Sequence, residues 1–194
     1  MGLNQIALKI KRFYLALLVL LGVIWILDVP IRLNLGIVTA SYISIMLAIS
    51  IAAGFLSKPF NKDNSLIALD IGLGILAILS WGWVSINYID WLTDLANRGP
   101  EKWLPGIIAI TLLIEALRRF CGHAITILTL FFILYGFFGH NFGGILEGAM
   151  VSPSRLILYF YADNGGVPGL ILSIVCSVVF GFLLMGELMK TSGG

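Results

Sequence analysis

The chain has 194 residues, 59% of them hydrophobic and 11% charged, with a formal net charge of +2. A soluble domain carries about 25% charged residues, so a mean hydropathy of +1.02 excludes a surface turned mainly to water and makes lipid the principal solvent. The small net charge gives no footing for nucleic acid, and the two cysteines, Cys121 and Cys176, stand far apart in apolar stretches as buried small side chains do.

A membrane-spanning helix needs about 20 apolar residues, and six stretches are candidates, which makes the expected fold an all-α integral membrane protein. The first covers residues 13–27, behind Lys9, Lys11 and Arg12. Asp28-Val29-Pro30 follows it where a signal peptide would carry a small-residue cleavage site, so it reads as an uncleaved span. The second, residues 35–56, has no charge at all. The third covers residues 66–89, with Asp70 near its start. The fourth (104–117) and fifth (121–138) together make a run of about 35 residues, too long for one crossing. Arg118 and Arg119 sit in its middle, where two charges at the bilayer centre would cost several kcal/mol, so the run is expected to break near Gly122. The sixth covers residues 167–188. Between the fifth and sixth, residues 156–161 are apolar but too short to span, and with Arg155 and Asp163 beside them they suggest a helix lying on the membrane surface.

The basic residues divide unevenly between the two ends of these helices. Lys9, Lys11, Arg12, Lys58, Lys62, Arg118 and Arg119 fall on one side, against Arg32, Arg98 and Lys102 on the other. The richer side is expected to be cytoplasmic, with the N-terminus inside. Trp25, Trp91 and Trp103 then lie at the outer ends, which would form an aromatic belt, and Trp81 and Trp83 lie somewhat deeper.

Two spans carry small residues at every fourth position, which keeps them on one helix face. Ala40, Ser44, Ala48 and Ala52 do so in the second, and Gly169, Ser173, Ser177 and Gly181 in the sixth. Such stripes let helix backbones approach in lipid, and Gly181→Leu is expected to impair packing. Glu115 precedes Arg118 and Arg119 by three and four residues, so these charges meet on one helix face. They read either as a contact coupling two modules or as a helix end whose charges pair and reach the headgroups. Gly165, Gly166, Pro168 and Gly169 open the sixth span and are candidates for a helix break of the kind that forms transport sites, or for a plain turn. Asp70, Asn87, Asp90 and Asp94 sit near helix ends, where an interfacial position accounts for them, and Glu187 with Lys190 reads as an interfacial pair. His123 and His140 have no second histidine at ligand spacing, so no metal site is expected. With no nucleophile beside a base and no phosphate-cradling loop, the chain is not expected to be an enzyme.

From residue 113 the sequence reads LIEALRRFCGHAITILTLFFILYGFFG, and after a short gap GGILEGAMVSPSRLILYFYADNGGVPGLILSIVCSVVFGFLLMGELMKTSGG. Through Glu115, Arg118, Arg119, Gly122, Phe132, Tyr135, Gly139, Gly144, Ser154, Arg155, Leu156, Tyr159, Gly166, Pro168, Gly169, Phe180, Phe182, Gly186, Ser192 and Gly193, it resembles the fused TRAP transporter permeases that work with a TAXI-class binding protein. RLNLGIVTASYISIMLAISIAAGFLSKP and NYIDWLTDLANRG, upstream, resemble the second span and the exit of the third in that family.

The resemblance implies a four-helix, small-subunit-like module over residues 1–120 and the start of the large permease module over 121–194. It implies sodium-coupled uptake of organic anions, often carboxylates, in a bacterial or archaeal cytoplasmic membrane. Substrate would come from an extracytoplasmic binding protein. The remainder of the permease would be a partner, and the sodium and substrate sites would lie in re-entrant hairpins beyond this chain. The alternative is a self-standing small membrane subunit with an assembly or anchoring role. A reporter fused after Lys62 is expected to be cytoplasmic, and an extracytoplasmic reporter there would overturn this topology.

Overall fold

The computed structural model describes residues 3–60, 64–93 and 99–193; Lys62, Asp94 and Arg98, used in the readings above, lie outside them. The described residues form helices and turns with no strand. α1 (Leu3–Ile26) begins earlier than hydropathy alone indicates, because the basic residues before its apolar run are good helix formers. It ends ahead of Asp28, which takes a left-handed conformation before the single turn α2 (Val29–Arg32). α3 (Thr39–Ser57) stops before Pro59. α4 (Asn64–Thr93) is the longest element at 30 residues. α5 (Pro100–Cys121) opens on a proline in its first turn, where the missing N–H is harmless.

The expected break falls at Gly122, the single residue separating α5 from α6 (His123–Phe138). Its φ of 83° and ψ of −179° lie in a region open essentially to glycine alone. Two short 3₁₀ turns lead to α7 (Pro153–Ala162). The last span comprises α8 (Leu170–Ile174), a π-helical turn (Val175–Val179) and α9 (Phe180–Ser192).

Among the described residues, four stretches are long and apolar enough to cross a membrane: Thr39–Ser57, Ile67–Trp91, His123–Asn141 and Leu170–Ser192. α1 and α5, at 24 and 22 residues, have comparable length but mix charges into their apolar runs.

The charge-free α3 is the centre of the bundle, with 72% of its span buried inside the protein. One face joins Ala77, Trp81 and Val84 of α4, Ala109 and Leu112 of α5 and Tyr161 of α7 in a single core. The other face, through Tyr42, Ile43 and Met46, meets Leu21 and Trp25 of α1 and Cys176 of the last span. Ala40, Ser44, Ala48 and Ala52 are all buried, and Gly74 of α4 lies against Ala52. Hydrogen bonds cross the same contacts. Tyr42 Oη donates to the carbonyl of Leu21 at 2.7 Å, and Ser85 Oγ to that of Ser41 at 2.7 Å. In lipid, which offers no hydrophobic drive for helix association, close approach and such bonds hold the helices together.

Packing also crosses residue 120. α7 was expected to lie on the membrane surface, yet its last turn drives Tyr161 into the core, where it is fully buried. The ring lies 5.4 Å from that of Trp81 and 6.0 Å from that of Trp91, and its hydroxyl donates to the carbonyl of Ser80. α7 touches both limbs of the α5–α6 hairpin far from Gly122: Ile157 and Tyr161 pack at Gly106, and Leu156 at Gly136. It therefore bridges the open end of the hairpin.

The π turn rotates the last span out of the 3.6-residue period that a small-residue stripe requires. Ser173 and Ser177 are half-buried, and Cys176 is the side chain that enters the core. Gly181 has room, since a Cβ there would meet Ile26 Cδ1 at 3.5 Å. The close contact is on the other helix, where a Cβ on Gly22 would run into the ring of Phe180. Gly22→Val is therefore expected to lower stability by about 1–3 kcal/mol, and Gly181→Ala to change it little. Thermal unfolding in detergent measures both, and equal effects would contradict this packing.

Candidate functional site

The described charges concentrate where α5 ends against the α3–α4 connection. Arg119, in the last turn of α5, places its side chain inward with 7% of it exposed. There its Nη1 donates to Oδ1 of Asp70 at 2.6 Å and to the backbone carbonyl of Lys58 at 3.2 Å. Its Nε donates to Oε1 of Glu115 at 2.7 Å. The guanidinium also lies 4.8 Å from the centre of the Phe55 ring, which adds a cation–π attraction to the polar bonds. Asp70 is 1% exposed, and its Oδ2 accepts the N–H of Phe60 at 3.0 Å. Both its oxygens are thus used, as a buried carboxylate requires.

Arg118 stands on the outer side of this network. It grips Glu115 with two parallel bonds, Nε to Oε2 and Nη2 to Oε1, both 2.8 Å, the strong forked geometry of an Arg–carboxylate pair. Lys58 completes the arrangement by donating back to the carbonyl of Arg119 at 3.3 Å, with its ammonium 4.9 Å from the centre of the Phe120 ring. The ends of α3 and α5 therefore clasp each other reciprocally, side chain to backbone in both directions.

Glu115, Arg118 and Arg119 come together as their spacing implies. Asp70, read from sequence as an interfacial acid, is instead buried against Arg119, 49 residues further on. The available signal was an acid near the start of an otherwise apolar span, a placement that calls for a partner.

Gly165, Gly166, Pro168 and Gly169 lie in the turn between α7 and α8. The N–H of Gly165 donates to Asp163 Oδ1 at 2.8 Å, that of Gly166 to the carbonyl of Asp163 at 2.9 Å, and that of Val167 to the carbonyl of Phe160 at 3.0 Å. A Cβ on Gly166 would collide with the carbonyl oxygen of Tyr159, and one on Gly169 with that of Asn164. Pro168 is fully buried. The glycines here serve the close packing of the turn, and the N–H groups of Gly165, Gly166 and Val167 are bonded within it. The helix irregularity inside the last span is the π turn, which no glycine or proline marks.

At the opposite end of the bundle, Trp83, Asp90, Trp91, Glu101 and Lys102 line a recess of about 410 Å³. Trp83 is exposed there, while Trp81 is fully buried in the core and is no part of a lipid-facing belt. Among the described residues, no three His, Cys, Asp or Glu side chains gather as a metal ion would need. No family model, curated protein or solved structure matches the chain.

Removing one member of a buried ion pair strands the other. Asp70→Asn and Arg119→Gln are each expected to cost about 3 kcal/mol, and the double variant to recover much of that loss. Thermal unfolding of all three in detergent tests this, and a double variant as unstable as the sum of the singles would refute it.

Proposed function

We propose that this chain is the N-terminal part of a TRAP-type permease, in which a supporting helical block leads into the first helices of the carrier. α1, α3, α4, α5, α6 and the last span would each cross the membrane, and the N-terminus would be cytoplasmic. α1 and α5 extend about 36 and 33 Å, enough for a hydrocarbon core of about 30 Å. Lys9, Lys11 and Arg12 occupy the first half of α1, so their long side chains would have to reach along the helix to the headgroups, as would those of the basic residues toward the two ends of α5.

The observation that supports this reading best is an asymmetry of packing. α3, α4 and α5 form a dense block closed at one end by the Asp70–Arg119–Glu115 network. Only 11% of the α6 span and 6% of the last span are buried inside the protein. A carrier needs a fixed support beside elements that move against it, and a dense block beside two sparsely covered spans supports that reading. The resemblance of residues 113 onward points the same way. Sodium-coupled uptake of organic carboxylates follows from it, with an extracytoplasmic binding protein delivering substrate and the remainder of the permease supplying the sodium and substrate sites.

The permease containing this chain, reconstituted into proteoliposomes with its binding protein, is expected to accumulate a labelled carboxylate under an inward sodium gradient. Accumulation should stop when an ionophore collapses the gradient. A correctly inserted protein with no sodium-dependent uptake across a panel of mono- and dicarboxylates would leave the non-transporting membrane subunit as the better account.

A further inference from the structure

The charged end of the bundle also presents a surface that the internal network does not use up. Asp70 takes up the charge of Arg119, and Glu115 that of Arg118. Lys58 pairs with no carboxylate among the described residues; its partners are a carbonyl oxygen and the Phe120 ring. Arg118 spends Nε and Nη2 on Glu115, and its Nη1 makes no bond among the described residues. Two aromatic rings flank these cations. Phe60 is 66% exposed with its centre 5.8 Å from the Arg118 guanidinium, and Phe120 is exposed beside Lys58. Cations with spare donors, one held within α5 and the other tied across from α3 to α5, and bordered by exposed apolar rings, match a ligand that is anionic at one end and hydrocarbon next to it.

We propose that Lys58 and Arg118 hold the phosphate headgroup of an anionic phospholipid, with Phe60 and Phe120 against its glycerol and upper acyl chains. The bidentate hold of Glu115 leaves Nη1 as the spare donor of a side chain that is one-third exposed, and the bond of Lys58 Nζ to the carbonyl of Arg119 ties the ammonium to the residue next to Arg118. Basic groups at helix ends on the cytoplasmic side are suited to such headgroups. The inference rests on this end of the bundle lying at a bilayer surface and not on transport, so it stands or falls separately from carboxylate uptake.

The test is lipid retention by the purified, delipidated protein in a neutral detergent, titrated with phosphatidylglycerol or phosphatidylcholine and read by native mass spectrometry. Phosphatidylglycerol is expected to be retained in preference. Lys58→Gln and Arg118→Gln should each weaken that retention about fivefold, while Lys9→Gln, which removes an exposed cation of α1, a helix that supplies no member of this cluster, should leave it unchanged. Lys58 is exposed, and its variant keeps the backbone carbonyl that Arg119 uses, so it remains informative even if Arg118→Gln disturbs folding. Equal retention of phosphatidylcholine would overturn the proposal, as would an equal loss with Lys9→Gln, the sign of diffuse charge attraction. Displacement of the lipid by inorganic phosphate at matched concentration would also overturn it, showing a site for soluble anions.

Discussion

A guanidinium in a lipid-facing helix bundle must find anionic and carbonyl partners, because an uncompensated charge away from water costs far more than a single packing contact returns. Arg119 meets that demand by drawing on three parts of the chain: Glu115 one turn back on its own helix, Asp70 on α4, and the carbonyl of Lys58 where α3 ends. These partners fix the end of α5 relative to α3 and α4. The ladder of buried small and aromatic residues from Ala116 to Tyr161 runs upward from this closed end. Ion pairing here sets alignment, while van der Waals packing and interhelical hydrogen bonds supply cohesion along the rest of the interface.

From that fixed end the bundle becomes progressively less enclosed. α3 is surrounded, α4 is partly covered, and α6 and the last span show most of their surface to whatever lies outside. The last span is attached at two levels: Leu172 and Cys176 lie against α3, and Phe180 lies against Gly22 of α1. The π turn carries Cys176, the side chain that meets α3, and leads directly into Phe180, which meets α1.

Much of this was legible from hydropathy. The charge-free second span and the break at Gly122 follow from the cost of charge in lipid and from the backbone freedom of glycine. The local salt bridges of Glu115 follow from helical spacing. The pairing of Asp70 with Arg119 did not, since nothing local couples residues 49 positions apart. Nor did the burial of Tyr161, because a ten-residue apolar-aromatic helix has the same pattern whether it rests on a membrane or docks on a protein. The π turn is spelled Val-Cys-Ser-Val-Val, which hydropathy scores as ordinary span, and Gly22 shows its importance only through the Phe180 ring opposite.

The one-residue turn at Gly122 bears on how the protein reaches the membrane. α5 and α6 are two limbs of a single hairpin whose tip carries Arg118 and Arg119. In the proposed orientation the tip remains on the side where the chain is synthesised, so neither arginine has to traverse the hydrocarbon during biogenesis. α5 can then enter with its charged end held back, followed by α6 and its uncharged apolar run. α7 would dock across the far end only after both limbs are in place, since its contacts at Gly106 and Gly136 do not exist until the hairpin has formed.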